Sequence, residues 1–313
     1  MDNNTPDQPL LNQYEDEIDL RELFAVLWAG KLKIIAITAI FAVASLIYAL
    51  SVPNQYKATA LLAPAQSDGA GLSGALGQLG GLASLAGVSL GGGESGEAQI
   101  AQEIMKSWSY IEDFIADNNI AAEVYAAEGW SKGSNTLQID GDVYDAEVKK
   151  WLVEDESGAI GPPSSWQLFQ AFSQMLSVSE DKKSGLVSVS IEYYSPQIAK
   201  QWVDLYVQSV NRFMQQRQVD KVTRNIAYLQ EQIGKTSIAE MQEVFYTIIE
   251  EQTKNKMLAE ASPDYVFVAV GPSMVPEEKS QPKRALICIL GTLLGGMLSV
   301  LLVLIMHYAK KSD

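Results

Sequence analysis

The sequence predicts an α+β protein anchored by two transmembrane helices that bracket one outer domain. Two observations fix the spans. Ile34–Val52 is 19 residues without a charge and Ala285–Met306 is another 22. At about 1.5 Å per residue each is long enough to cross a hydrocarbon core of about 30 Å. A third observation fixes the class between them: strand-period and helix-period patterns alternate, and one helical pattern is too long to lie on a small core. The domains expected are a leader over 1–33, a first span over 34–52, an outer domain over 53–284 with extended helices over about 196–261, a second span over 285–306 and a tail over 307–313.

Composition excludes other classes. The chain has 313 residues, 47% hydrophobic and 19% charged, with a mean hydropathy of +0.01. Its apolar residues are clustered into two stretches, which argues against a soluble globule, a disordered chain and a polytopic transporter. A net charge of -15 argues against a nucleic-acid partner, since phosphate binding needs clustered Lys and Arg. Cys288 and His307 are the single cysteine and histidine, and both lie in or at the end of the second apolar stretch. No intrachain disulfide or Cys-based zinc site follows, nor a Ser-His-Asp set in the outer domain. Neither cofactor nor metal is expected.

The first apolar stretch follows a polar leader and runs into Pro53-Asn54-Gln55-Tyr56 without a small-residue cleavage signature, so it reads as a retained span. Arg21, Lys31 and Lys33 precede it, and Lys310 and Lys311 follow the second span. The positive-inside rule then places both termini in the cytoplasm. Glu15–Trp28 reads as a short amphipathic helix, with Leu20, Leu23, Phe24 and Leu27 on one face. It serves either as a membrane-surface lead-in or as a docking helix.

In the outer domain, Tyr56–Leu62 reads as a first strand. Ser67–Gly96 holds 11 of the 23 glycines, with leucines at helical spacing. It reads either as a mobile surface loop or as a segment ordered only by neighbouring subunits or the bilayer surface. Glu97–Asn118 predicts one helix, with Ile100, Ile104, Trp108, Ile111 and Ile115 along a face. Leu168–Leu176 predicts a helix opened by a Ser164…Gln167 capping box, and Leu186–Tyr193 alternates as a half-buried strand. Ser195-Pro196 supplies an N-cap and a first-turn proline for the long helix Pro196–Ile233. Its seam is Ile198, Trp202 and Leu205, then Val219, Val222, Ile226, Leu229 and Ile233, interrupted by Gln215–Gln218. Gly234 is expected to stop it. Ser237…Glu240 is expected to cap a return helix carrying Ile238, Met241, Phe245, Ile248 and Gln252 in line. Tyr265–Val270 reads as a last strand. The whole reads as an α/β membrane-proximal base and an extended helical hairpin.

Catalytic patterns are weak. Gly234-Lys235-Thr236 is only the tail of a phosphate-binding loop, because Leu229 stands where its first glycine belongs. Asp140, Asp142, Asp145 and Glu147 could pair for glycoside hydrolysis, but acidic surfaces produce such pairs by chance. The expectation is a protein that is not an enzyme. The informative region is the approach to the second span. Pro272, Pro276 and Pro282 stiffen it, because each fixes φ and removes a donor. The span then carries Gly291, Gly295 and Gly296, whose GxxxG spacing lets helices approach closely.

With these residues the chain resembles the polysaccharide co-polymerase family, the Wzz-type chain length determinant proteins. The features are the short leader, the Tyr56–Leu62 strand, the Ser195-Pro196…Ala199…Trp202…Asn211 helix start, and Pro282-Lys283 before Gly295-Gly296-Met297. Gln281 and Ser299-Val300 depart from the family pattern. The resemblance implies a non-enzymatic, kinase-free inner-membrane protein whose main domain is periplasmic. It implies a ring-like homo-oligomer, commonly an octamer, that sets O-antigen length with a Wzy-type polymerase acting on lipid-linked polysaccharide. It also points to Pro272, Pro276, Pro282, Gly291, Gly295 and Gly296 as oligomer or polymerase contacts. Glycan contacts on so acidic a domain should be polar or aromatic. Alternatives are capsule, exopolysaccharide or enterobacterial common antigen, or a two-span secretion adaptor or sensor.

Overall fold

The computed structural model describes residues 20–65, 93–154 and 158–312. Most of the leader and of the Gly/Leu-rich segment 67–96 lies outside the described residues. In chain order the elements are α1 (Leu20–Ala29), α2 (Lys31–Ser51), β1 (Tyr56–Pro64), α3 (Gly93–Lys106), α4 (Trp108–Asn118), α5 (Ala121–Tyr125), β2 (Ala127–Ser131) and β3 (Thr136–Ile139). Four two-residue strands follow, β4 (Tyr144–Asp145), β5 (Lys150–Trp151), β6 (Val153–Glu154) and β7 (Ile160–Gly161). Then come α6 (Ser165–Met175), β8 (Leu176–Glu180), β9 (Val187–Tyr193), α7 (Pro196–Lys235), α8 (Ala239–Ala261), β10 (Phe267–Ala269) and α9 (Arg284–Ser312). Two compact units result, one of Met1–Val52 with Lys283–Asp313 and one of Pro53–Pro282.

In the first unit α2 and α9 pack on each other. Each is apolar enough to cross a membrane, and only 6% and 17% of their apolar windows is buried. That exposure is what a lipid-facing helix needs and what a soluble core helix lacks. The predicted amphipathic lead-in appears as α1, where Phe24 stacks on Trp28 and the Lys31 ammonium lies 4.6 Å above the Trp28 ring.

The second unit is built on a four-stranded antiparallel sheet in the order β10-β1-β9-β8. Tyr56 stands opposite Tyr193, and Leu62 opposite both Val187 and Ala269. Period-2 alternation puts Ala58, Ala60, Leu62, Val187, Val189, Ile191 and Tyr193 into the core. Thr59 and Ser190 pair their hydroxyls at 3.0 Å on the opposite face. Helices α3 to α7 supply the rest of the core, centred on Phe114, Phe172, Trp202 and Tyr206. The ring centroids of Phe114 and Tyr206 are 4.7 Å apart, and those of Tyr193 and Trp202 4.4 Å.

Several elements differ from the sequence reading. Glu97–Asn118 is two helices, because Ser107 takes an extended conformation and its hydroxyl donates to the Ile104 carbonyl. The break turns Ile100 and Trp108 outward while Ala101, Met105 and Ile111 stay buried. The Ser164–Gln167 capping box forms as expected, but its helix stops at Met175 and Leu176 begins a strand. That edge strand is held by β9, with Leu176 opposite Ile191. The hairpin β2–β3 was not anticipated either.

The long helix runs 40 residues, through Gly234, and ends at Lys235. No side chain caps α8, whose N-cap is Ile238, so the Ser237…Glu240 box does not form. Instead the Gln242 amide donates to the Thr236 carbonyl at 2.9 Å and fastens the turn. The α8 seam is shifted only at its start. Gln242, Phe245, Ile248, Ile249, Gln252, Lys256 and Ala259 are the partly or fully buried positions, close to the 3-4 spacing of a two-helix coil, so Phe245, Ile248 and Gln252 lie in the seam as expected. Ile238 and Met241, expected in the seam, are exposed. The last strand is shorter than expected, Phe267–Ala269, although the Val270 amide still donates to the Leu61 carbonyl.

Candidate functional site

The predicted site residues fall into two groups, one in each unit. In the first unit, Gly291, Gly295 and Gly296 lie along α9 facing α2 of the same chain. A Cβ added at Gly291 would collide with Ser45, and one at Gly295 with Phe41. The GxxxG spacing is thus occupied by the chain's own first span, with backbones brought together by the missing side chains. Polar contacts reinforce the pair. Thr38 and Ser299 share a hydrogen bond at 3.3 Å, and the Arg284 Nε donates to the Ala49 carbonyl at 3.0 Å. Gly30, between α1 and α2, makes a similar approach, since a Cβ there would meet Val303.

In the second unit the proline segment is a strap tied down by serines. Pro272 is exposed, Pro276 half-buried and Pro282 buried. Buried Ser273 donates to Asp204 on α7, and that carboxylate also takes Lys200 at 2.5 Å. Ser280 donates to the Gln55 carbonyl at 3.0 Å and to Glu192 of β9, and the Gln55 amide donates back to Gln281 at 3.0 Å. The prolines supply stiffness, and the serines between them supply attachment.

Beside this strap lies an open groove of about 510 Å³, lined by Asp204, Gln208, Arg212, Asp264, Gly271 and Pro272 among others. Its floor is organised by two amides one helical turn apart on α7. Asn211 accepts from the Val266 and Phe267 amides at 3.0 and 2.9 Å and donates to the Phe267 carbonyl at 2.8 Å. Gln215 donates to the carbonyls of Ala259 and Ser262 at 2.9 and 3.0 Å, at the end of α8. The glutamine run that interrupts the sequence seam therefore binds the returning chain. The groove thus brings Pro272 and Asn211, from two separate parts of the resemblance, onto one surface.

The residues weighed for catalysis have local tasks. Asp140 Oδ1 accepts from the Asp142 amide at 2.9 Å, and Asp145 Oδ1 from the amides of Glu147 and Val148 at 2.9 and 3.1 Å. These are side-chain-closed turns. Among the described residues no cluster of three His, Cys, Asp or Glu is placed to hold a metal. The marked upward pKa shifts belong to tyrosines. Burial pushes the Tyr110, Tyr193, Tyr206 and Tyr265 hydroxyls well above the usual phenol range. Asp181 is held below the usual carboxylate range, because its charged form accepts from the Lys183 amide and the Ser184 hydroxyl in the β8–β9 turn. Asp204, Ser273 and Ser280 were not singled out from sequence, and Gln215 was named only within the run that interrupts the seam of α7. The available signal was an amide, Asn211, on an otherwise apolar helix face between Val210 and Met214.

Residues 16–118, a stretch holding α1, α2, β1, α3 and α4, match the family model described as Wzz, chain length determinant protein. Over that stretch the chain is similar to the Wzz family. Among solved structures, a full-length bacterial polysaccharide co-polymerase is 16% identical, covers 94% of this chain and 99% of its own, and gives a TM-score of 0.39. A fragment of WzzB, a polysaccharide co-polymerase from Salmonella Typhimurium, is 13% identical over 73% of this chain and 100% of its own, with a TM-score of 0.29. No curated protein matches the chain significantly. The Wzz-matching stretch contributes the first span and β1, the strand that pairs with both β9 and β10.

Proposed function

We propose that this Wzz-type chain is a non-enzymatic regulator of polysaccharide chain length, and that its polysaccharide is O-antigen. It sits in the inner membrane with both termini in the cytoplasm and residues 53–284 in the periplasm. It acts as a homo-oligomeric ring with a Wzy-type polymerase on lipid-linked polysaccharide. The observation that carries this reading is the Wzz match over residues 16–118. Two helices able to span a membrane support it, as does a second unit made of packing and hydrogen-bonded struts. Pro272, Pro276, Pro282, Gly291, Gly295 and Gly296 are the proposed oligomer or polymerase contacts. Gly291 and Gly295 would act by holding the two spans as one unit that the polymerase meets.

The test is the lipopolysaccharide ladder from cells with and without the gene. Loss of a modal cluster in favour of a smoothly declining spread of lengths is the expected result. An unchanged ladder would reject O-antigen and direct attention to another glycan.

A further inference from the structure

Trp108 and Trp166, resting on Phe169 at the margin of the core, form an aromatic patch more exposed than core packing needs. Trp108 opens α4 and Trp166 lies in the first turn of α6, and they are 45% and 46% exposed. Phe172, one turn beyond Phe169, is fully buried, so α6 already has its core anchor. The two indoles meet edge-on with centroids 5.1 Å apart, and Phe169 lies 5.2 Å from Trp166 and 6.2 Å from Trp108. The Trp108 indole N–H donates to Ser165 Oγ at 2.6 Å. The capping box at Ser164 fixes the start of α6 directly beside it. These rings are pinned in place with much of their surface left in water, where apolar area is unfavourable by about 25 cal/mol per Å².

The surroundings say what such a surface suits. Ser109, next to Trp108, and Gln170, one turn after Trp166, are exposed. Their side chains make no hydrogen bond among the described residues. Exposed Glu112, one turn after Trp108, makes no ion pair there either. The nearest basic residue in sequence, Lys106, is paired with Glu103 at 3.2 Å. An aromatic face carries negative charge density. It attracts the C–H groups on one face of a pyranose ring, while the sugar's hydroxyl rim requires hydroxyl, amide and carboxylate partners. An anionic polymer or anionic bilayer would call for unpaired Lys and Arg around the aromatics, whereas α4 and α6 carry Glu112 and no Lys or Arg between Trp108 and Asn118 or between Ser165 and Met175.

We propose that Trp108, Trp166 and Phe169 are a stacking platform for a neutral polysaccharide, with Gln170, Ser109 and Glu112 bonding its hydroxyls. This rests on the reading of the chain as a polysaccharide regulator and adds the chemical class of glycan and the place of contact.

The experiment uses the full chain in nanodiscs of neutral lipid, titrated with heptamers of glucose, mannose and galactose and with a heptamer of galacturonic acid. Tryptophan fluorescence is followed. A saturable change with at least one neutral heptamer and none with the galacturonate is expected. Trp166→Ala should weaken that binding at least tenfold. Gln170→Ala, which leaves the rings in place, should weaken it severalfold with unchanged circular dichroism. Absence of binding by every neutral heptamer, or binding unchanged in both variants, overturns the platform. So does quenching of Trp108 and Trp166 by brominated lipid, which would make the patch a bilayer contact. A loss of oligomer mass in Trp166→Ala without heptamer binding would make it a contact between copies and also overturns it. If the ladder depends on the gene while no heptamer binds, the platform fails and chain-length control stands.

Discussion

Asn211 lies between Val210 and Met214 on the buried face of α7 and commits its whole amide to the backbone of Val266 and Phe267. It behaves as a strand would, offering an acceptor and a donor to a segment that has β1 on only one side. Replacing it with alanine leaves two amides and a carbonyl without partners inside the fold. Each such orphan costs about 1–3 kcal/mol, so Asn211→Ala should destabilise the unit by about 3 kcal/mol or more. Denaturant unfolding of the purified chain checks this, and an unchanged midpoint would assign the strand's position to Phe267 packing alone. A single polar letter in an apolar stripe was visible in the sequence, but its partners, about 55 positions further along, were not.

Between the two spans the decisive letters are the ones with no side chain. Gly291 and Gly295 let α9 approach Phe41 and Ser45 to contact distance, and membrane helices associate through such close packing rather than through a hydrophobic drive. The double variant Gly291→Leu, Gly295→Leu should force α2 and α9 apart. Cysteine cross-linking between positions on the two helices should fall, and the modal cluster of the ladder should broaden or vanish. Normal cross-linking and a normal ladder together would show the contact to be incidental. The GxxxG spacing was legible, whereas its partner was not, because a motif specifies a close approach without saying which helix approaches. The α7–α8 hairpin teaches the same point. Its length and its Ser195-Pro196 start follow from local chemistry, since Ser195 accepts the Ile198 amide at 3.4 Å and proline suits the first turn. The register of α8 follows from Gln242 and Gln215, which fasten the hairpin at its two ends.

The core of the second unit makes a prediction about pH. Tyr110, Tyr193 and Tyr206 have hydroxyls raised above the usual range chiefly by burial. Tyr193 donates to the Glu123 carbonyl at 2.6 Å and Tyr206 to the Met105 carbonyl. Above about pH 10 the unfolded chain loses these protons first, while the folded chain keeps them. Their stabilising contribution is therefore complete below about pH 10 and is lost as the pH rises toward the folded values. Each tyrosine adds a slope of about 1.4 kcal/mol per pH unit in that window. Denaturation midpoints measured from pH 8 to 12 should be flat at first and then fall steeply. A flat profile throughout would mean that water reaches these hydroxyls in the folded state.

The sequence by itself determined the two spans, the α+β class, the strand ending at Tyr193, the capped start of α6, and the long helix from Pro196 up to its last two residues. Each depends on a period, a length or a cap confined to neighbouring residues, which local physics reads directly. Only the tertiary structure decided the break at Ser107, the strand beginning at Leu176, the seam of α8 and the strap tied by Ser273 and Ser280. It also placed Trp108, at the start of α4, against Trp166, at the start of α6. Apart from the Ser107 break, whose bond to Ile104 is local, these features rest on contacts between segments separated in the chain, such as Trp108 with Ser165, Ser273 with Asp204 and Ser280 with Gln55. No local pattern carries that information, because the partner becomes a neighbour only once the chain has folded.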